Sequence, residues 1–164
     1  MIQVTVGIAD CRVSADRDTV LATYALGSCI AVLVHDPVAA VAGLLHYMLP
    51  DSSLDPGKAE RNPFLFADTG IPRLIAAVCD CGARRERLVA RIAGGAQTLN
   101  GHQRFQIGRR NQRAARRILR EAGVAVRSEA VGAEVSRTVL LETGSGRALV
   151  RESGRESAAE RSLR

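Results

Sequence analysis

Residues 2–10, IQVTVGIAD, alternate apolar and polar side chains over most of their length, which is the period of a half-buried strand. Residues 11–26, CRVSADRDTVLATYAL, begin with polar turn formers and close on a second apolar stretch. The run 30–34 is apolar and rich in β-branched residues, and residues 41–48 are apolar again. His35-Asp36-Pro37 interrupts them, so the pattern predicts two strands joined by a short turn, the second ended by Pro50. Residues 51–64, DSSLDPGKAERNPF, are polar and rich in turn formers and read as a surface loop.

The period then lengthens. Ile71, Leu74, Ile75 and Val78 recur every three or four residues, predicting a helix through residues 71–81. Asp68 or Thr69 can cap it, Pro72 falls near its first turn, and Gly82 closes it. Residues 86–96, ERLVARIAGGA, read as a strand ending in the pair Gly94-Gly95, and residues 100–106 as a loop. A second helix is predicted over residues 107–123, with Ala114, Ala115, Ile118, Leu119 and Ala122 as its apolar face and Gly123 at its end. Residues 124–132 read as a strand, and residues 137–152 as a hairpin turning at 143–146. From residue 152 the chain is polar and poorly periodic, so residues 152–164 are expected to form a disordered tail behind one domain of residues 1–151. Strands, helix, strand, helix, strands is the order of an α+β or mixed α/β domain: a β core with two main helices packed on it.

Composition adjusts this picture only a little. At 164 residues the chain can bury a sizeable core, but with 3% aromatics and no Trp that core must be aliphatic. The net charge is +6, and the cations are almost all arginine, Lys58 being the single lysine. Such a balance favours anionic partners, and a preference for Arg alongside Ala can equally reflect genome base composition. No charged segment precedes an apolar one at the N-terminus, and no window approaches the roughly 18 apolar residues of a membrane span. A cytoplasmic protein with reduced thiols and no membrane insertion is therefore expected. Of the four cysteines, Cys79 and Cys81 form a lone CxC without a second pair; Cys79 fits the apolar face of a helix better than a metal site.

The candidate chemistry lies in residues 23–37, TYALGSCIAVLVHDP, where a Gly-Ser-Cys turn enters an apolar strand. A strand cysteine is usually a small hydrophobe. Of the three histidines, His102 lies in a polar loop and His35 beside a turn, and both are expected to be solvated. His46 sits inside the second apolar strand. If the hairpin turns between Pro37 and Val38, Cys29 falls directly opposite His46, which would bring a thiol to an imidazole; a one-residue slip would part them. An imidazolium beside a thiolate lowers the thiol pKa, and the imidazole can then protonate a leaving amine. Gly27 permits the tight turn, and the N–H groups of Ser28 and Cys29 are candidate oxyanion donors. Acyl transfer through a thioester is the class implied. Gly94-Gly95 is either a backbone approached by substrate or a strand end needing positive φ.

The segments TYALGSCIAVLVHDP, GLLHYMLPDS, FADTGIPRLI, RIAGGA and IGRRN, in that order, resemble the CheD family of chemoreceptor glutamine deamidases. The resemblance runs from residue 3 to about residue 150 and implies a Cys-His-Thr triad of Cys29, His46 and Thr23, with Thr23 orienting the imidazole. It implies a β-sheet packed against helices, similar to deamidating toxins that are cysteine hydrolases. It further implies a cofactor-free hydrolysis of glutamine side chains on the helical cytoplasmic domain of a chemoreceptor. A CheC-type phosphatase is a further implied partner, and a monomer is expected. Family members often carry paired glycines followed by an arginine near the last strands. Here Gly132 and Arg137 are present and the second glycine is not, which bears on partner contacts at that edge. Two other classes stay open. One is a non-catalytic adaptor binding receptor or phosphatase through the same surface. The other is a nucleic-acid binder through Arg109, Arg110, Arg113, Arg116, Arg117 and Arg120, although no nucleic-acid motif accompanies that helix and arginine faces are usually just solvated.

Overall fold

A computed structural model describes residues 1–97, 106–154 and 161–163. Among the described residues, ten strands form two five-stranded sheets. The first contains β1 (Ile2–Thr5), β3 (Thr19–Leu26), β8 (Arg137–Glu142), β9 (Ala148–Glu152) and β10 (Arg161–Leu163), in that order. The second runs β2 (Asp10–Ser14), β5 (Val41–Tyr47), β4 (Ile30–Asp36), β6 (Val89–Gly94), β7 (Ala125–Val131). Pairing is antiparallel except for β1 with β3 and β6 with β7.

Three layers result. Helices α2 (Ala67–Asp80) and α3 (Ile107–Glu121) cover one face of the second sheet, and the first sheet covers the other. Strands β4 and β5 lie in the middle layer and are buried along their whole length. That is why their sequences are continuous apolar runs instead of alternating ones. In β4, Ile30, Val32 and Val34 pack toward the helices, while Ala31 and Leu33 pack toward the first sheet. The apolar faces read from the helix period are the ones buried: Ile71, Leu74, Ile75 and Val78 in α2, and Ala114, Ala115, Ile118 and Leu119 in α3.

Several local expectations are corrected. The N-terminal alternation is split by a turn into β1 and β2. The polar stretch 51–64 carries the short helix α1 (Pro56–Arg61) between two single 3₁₀ turns, each capped by an Asp or Asn side chain. Helix α2 begins at Ala67, before either expected cap. Asp68 turns outward to accept from the Ser52 N–H and hydroxyl, Thr69 donates to the Pro63 carbonyl, and Pro72 lies within the helix. His35 is buried, its Nε2 2.9 Å from the Thr143 carbonyl oxygen, because β4 continues two residues beyond the apolar run. His102 lies outside the described residues, as do 155–160 of the segment expected to be a tail. Glu152 ends β9, and Arg161–Leu163 pair with it as β10.

Candidate functional site

The hairpin that carries the cysteine and the histidine turns one residue later than expected. Asp36 still belongs to β4 and pairs with Val41. Its buried carboxylate accepts from the Val38 and Ala39 N–H groups across the turn, from the Arg84 N–H, and from the Arg87 guanidinium at 2.7 Å. Burial alone would raise the Asp36 pKa. The Arg87 hydrogen bonds and the three N–H donors outweigh it and hold the carboxyl far below its ordinary range. Because this clamp fixes the turn, His46 pairs with Ala31, not with Cys29. The register differs from the expected one by an even step, so Cys29 keeps the face of Ala31 and His46. It becomes a diagonal neighbour, at a spacing of roughly 7–8 Å typical of such pairs.

That face looks into the layer between the sheets, where Thr23 reaches in from β3. Thr23 and His46 are both buried, and Thr23 Oγ1 lies 2.8 Å from His46 Nδ1. The same hydroxyl donates to the Val6 carbonyl at 2.7 Å. A hydroxyl has one proton, and a carbonyl can only accept. Thr23 therefore accepts from His46 Nδ1–H, which fixes the tautomer and leaves Nε2 with a free lone pair. His46 Nε2 is buried and has no hydrogen-bond partner among the described residues. Burial lowers the His46 pKa to about 4, so the ring is neutral at pH 7. Burial also raises the Cys29 thiol, offset only in part by its own backbone N–H. The expected thiolate–imidazolium pair is thus replaced by a neutral thiol and a neutral imidazole, both held by desolvation.

The Gly-Ser-Cys turn is fixed through its carbonyls. Ala96 N–H donates to Gly27 and Gly95 N–H to Cys29, each at 2.8 Å, and Asn111 Nδ2 donates to Ser28 at 2.9 Å. None of these bonds uses the N–H of Ser28 or Cys29. Gly94 and Gly95 both hold positive φ, at 105° and 62°. A Cβ on Gly94 would overlap the Cys29 carbonyl oxygen, so the glycine pair serves strand geometry and close approach to the cysteine's own backbone. Arg137 is buried. It donates to the Gly94 and Gly132 carbonyls and pairs with Glu152 at 3.1 Å, so this arginine braces the site from inside. The expected second glycine is replaced by Ala133, held at φ 58°.

Sequence reasoning gave Asn111 no role. It is fully buried near the start of α3, and its Nδ2 also donates to the Met48 carbonyl at 2.7 Å. One side chain thus ties the strand entrance bearing Cys29 to the strand exit beyond His46. Asn111 closes the IGRRN segment on which the family resemblance rests, and that segment was the available signal.

A cysteine, a neutral imidazole with a free nitrogen, and a hydroxyl that orients it occupy one interlayer of a two-sheet α+β fold. The class this defines is one able to carry thiol-dependent acyl transfer. The family model described as CheD chemotactic sensory transduction matches residues 48–152. A Solibacter usitatus protein named a probable chemoreceptor glutamine deamidase CheD is 54% identical over 95% of this chain and 92% of its own. A Syntrophus aciditrophicus protein, a probable chemoreceptor glutamine deamidase CheD 1, is 47% identical over 94% of this chain and 96% of its own. The chain belongs to the CheD family. Among solved structures, the Neisseria meningitidis protein NMB0706 (DUF152) shares the fold at a TM-score of 0.52 and 12% identity, over 81% of this chain and 64% of that one. No helix among the described residues is long and apolar enough to cross a membrane.

Proposed function

We propose that this protein hydrolyses glutamine side chains of chemoreceptors to glutamate, with Cys29 as nucleophile, His46 as general base and acid, and Thr23 orienting the imidazole. The observation that carries the reading is the fixed tautomer: Val6 and Thr23 hold His46 Nδ1–H and leave Nε2 bare on the face of Cys29. Family membership supplies the substrate.

The steps follow from neutral partners. As Cys29 Sγ attacks the carboxamide carbon, its proton passes to His46 Nε2, and negative charge develops on the amide oxygen. The N–H groups of Ser28 and Cys29, on the turn that begins at Gly27, are the donors assigned to that oxygen. The C–N bond then breaks, ammonia leaves with the proton from His46, and a thioester remains. Water adds with His46 again as base, restoring the thiol and releasing glutamate. The balance is one amide and one water to one carboxylate and one ammonium. The chemistry needs no cofactor.

The same reading places the protein in the cytoplasm as a monomer, treats residues 1–151 as the deamidase domain, and takes a CheC-type phosphatase as a second partner competing with the receptor. The experiment is incubation with a chemoreceptor cytoplasmic fragment and peptide mass mapping of converted glutamines. Conversion by the parent protein, lost in Cys29→Ala with the fold retained, is the expected outcome.

A further inference from the structure

The solvent side of α3 carries a row of cations. Arg110, Arg113, Arg117 and Arg120 are all exposed. Their spacing of three, four and three residues puts them in one stripe along the helix, about 15 Å long. The stripe lines a groove of about 490 Å³ whose opposite wall is Pro50 and Asp51. That wall begins three residues beyond Tyr47, the end of the strand bearing His46. Asn111, within the first turn of the stripe, holds the Ser28 and Met48 carbonyls. The groove therefore runs beside the turn that bears Cys29, on the helix-covered side of the second sheet.

The charge of the stripe is compensated only in part, by the Asp51 carboxylate, whose pKa its own Ser53 hydrogen bonds lower first and the fields of Arg117 and Arg110 lower further. Among the described residues, Arg110, Arg113 and Arg120 make no ion pair, and Arg117 meets Glu121 only at 3.5 Å. Neighbouring Arg116, by contrast, is neutralised by Glu129 through two hydrogen bonds. Asp51 sets the sign pattern of the far wall. A continuous phosphate backbone laid in the groove would meet that carboxylate, whereas a protein helix can present acidic residues to the stripe and a basic or neutral one to Asp51.

We propose that this groove docks an acidic helix of the substrate protein, its carboxylates recurring at the spacing of the arginines, and so delivers the neighbouring glutamine to Cys29. The proposal rests on the deamidase reading and specifies how that substrate is recognised.

The test is fluorescence anisotropy of the full chain carrying Cys29→Ala. The probe is a labelled, side-chain-stapled helical peptide with one glutamine and glutamates at three-four-three spacing. A control peptide has lysines in place of the glutamates. Binding of the glutamate peptide that weakens with salt and absence of binding to the lysine peptide are expected. Arg110→Glu with Arg117→Glu should weaken binding at least about tenfold, while Arg110→Lys with Arg117→Lys stays within about threefold. Circular dichroism verifies the fold of each variant. Unchanged affinity in the glutamate double variant, no binding by the parent stripe, or displacement of the peptide by an equal concentration of short duplex DNA would overturn the proposal. Peptide binding needs no turnover, so binding without deamidation of a receptor fragment sinks only the activity reading. Deamidation with an unchanged KM in the double variant sinks only the docking groove.

Discussion

The layer between the two sheets holds two buried histidines, one near each end of β4, and they differ in one atom. His35 bonds the Thr143 carbonyl through Nε2, and His46 bonds the Thr23 hydroxyl through Nδ1. Burial lowers both rings' pKa. At the His35 end the imidazole serves as a strut between sheets, with the Gly146 backbone packed against its Nδ1 side. At the His46 end the bond to Thr23 leaves Nε2 bare on the face that carries Cys29. A histidine in an apolar strand is structural or chemical according to which nitrogen the fold consumes.

The largest expected effect separates the two histidines directly. His46→Ala should lower the deamidation rate about 10³-fold or more. His35→Ala should leave the rate per folded molecule within a few-fold and lower stability by about 1–3 kcal/mol through the unpaired Thr143 carbonyl. Denaturant melts and peptide mapping on the same preparations check both.

The paired threonines sharpen the contrast. Thr23→Val removes the acceptor for Nδ1–H and should cost about 10²-fold in rate, with Thr23→Ser restoring most of it. Thr143 has a buried hydroxyl with no partner among the described residues, so Thr143→Val should be neutral or slightly stabilising in a thermal melt. The glycines behave alike: Gly94→Ala would push on the Cys29 carbonyl and reduce both rate and stability, whereas Gly146→Ala would push on the His35 ring and reduce stability alone.

The pH dependence is a smaller effect with a defined sign. The free imidazole of His46 is needed, and its pKa is lowered to about 4, so the acid limb of kcat/KM should fall near pH 4 instead of near the ordinary value of 6.5. For stability, the unfolded chain binds the proton first. The contribution is fully present above about pH 6.5 and is lost as pH falls through about 4. An acid limb near pH 6.5 in the rate profile would contradict the neutral, desolvated base.

Much of this was legible in the sequence because periodicity reports burial. The helix faces of α2 and α3, the central hairpin and the β8–β9 turn follow from apolar spacing alone. What escaped depends on contacts distant in sequence. Asp36 moved the turn because Arg84 and Arg87, about fifty residues on, clamp it. His35 looked solvated because its partner lies in the opposite sheet. Thr23 was placed only by family resemblance, since no local signal distinguishes it from Thr19 or Thr143, which are also buried. Asn111 acts through two backbone carbonyls that no spacing rule connects to it. The two-sheet layering was likewise hidden, because a strand's pattern shows that it is covered but not by which sheet.

The assignment of Cys29 as nucleophile, with His46 taking its proton, carries the rest of the mechanism. Its most direct test is peptide mass mapping of a chemoreceptor cytoplasmic fragment after incubation with Cys29→Ala, alongside the parent protein. Conversion of glutamine to glutamate by the parent and none by the folded variant is predicted. Conversion by Cys29→Ala at the parental rate would contradict it.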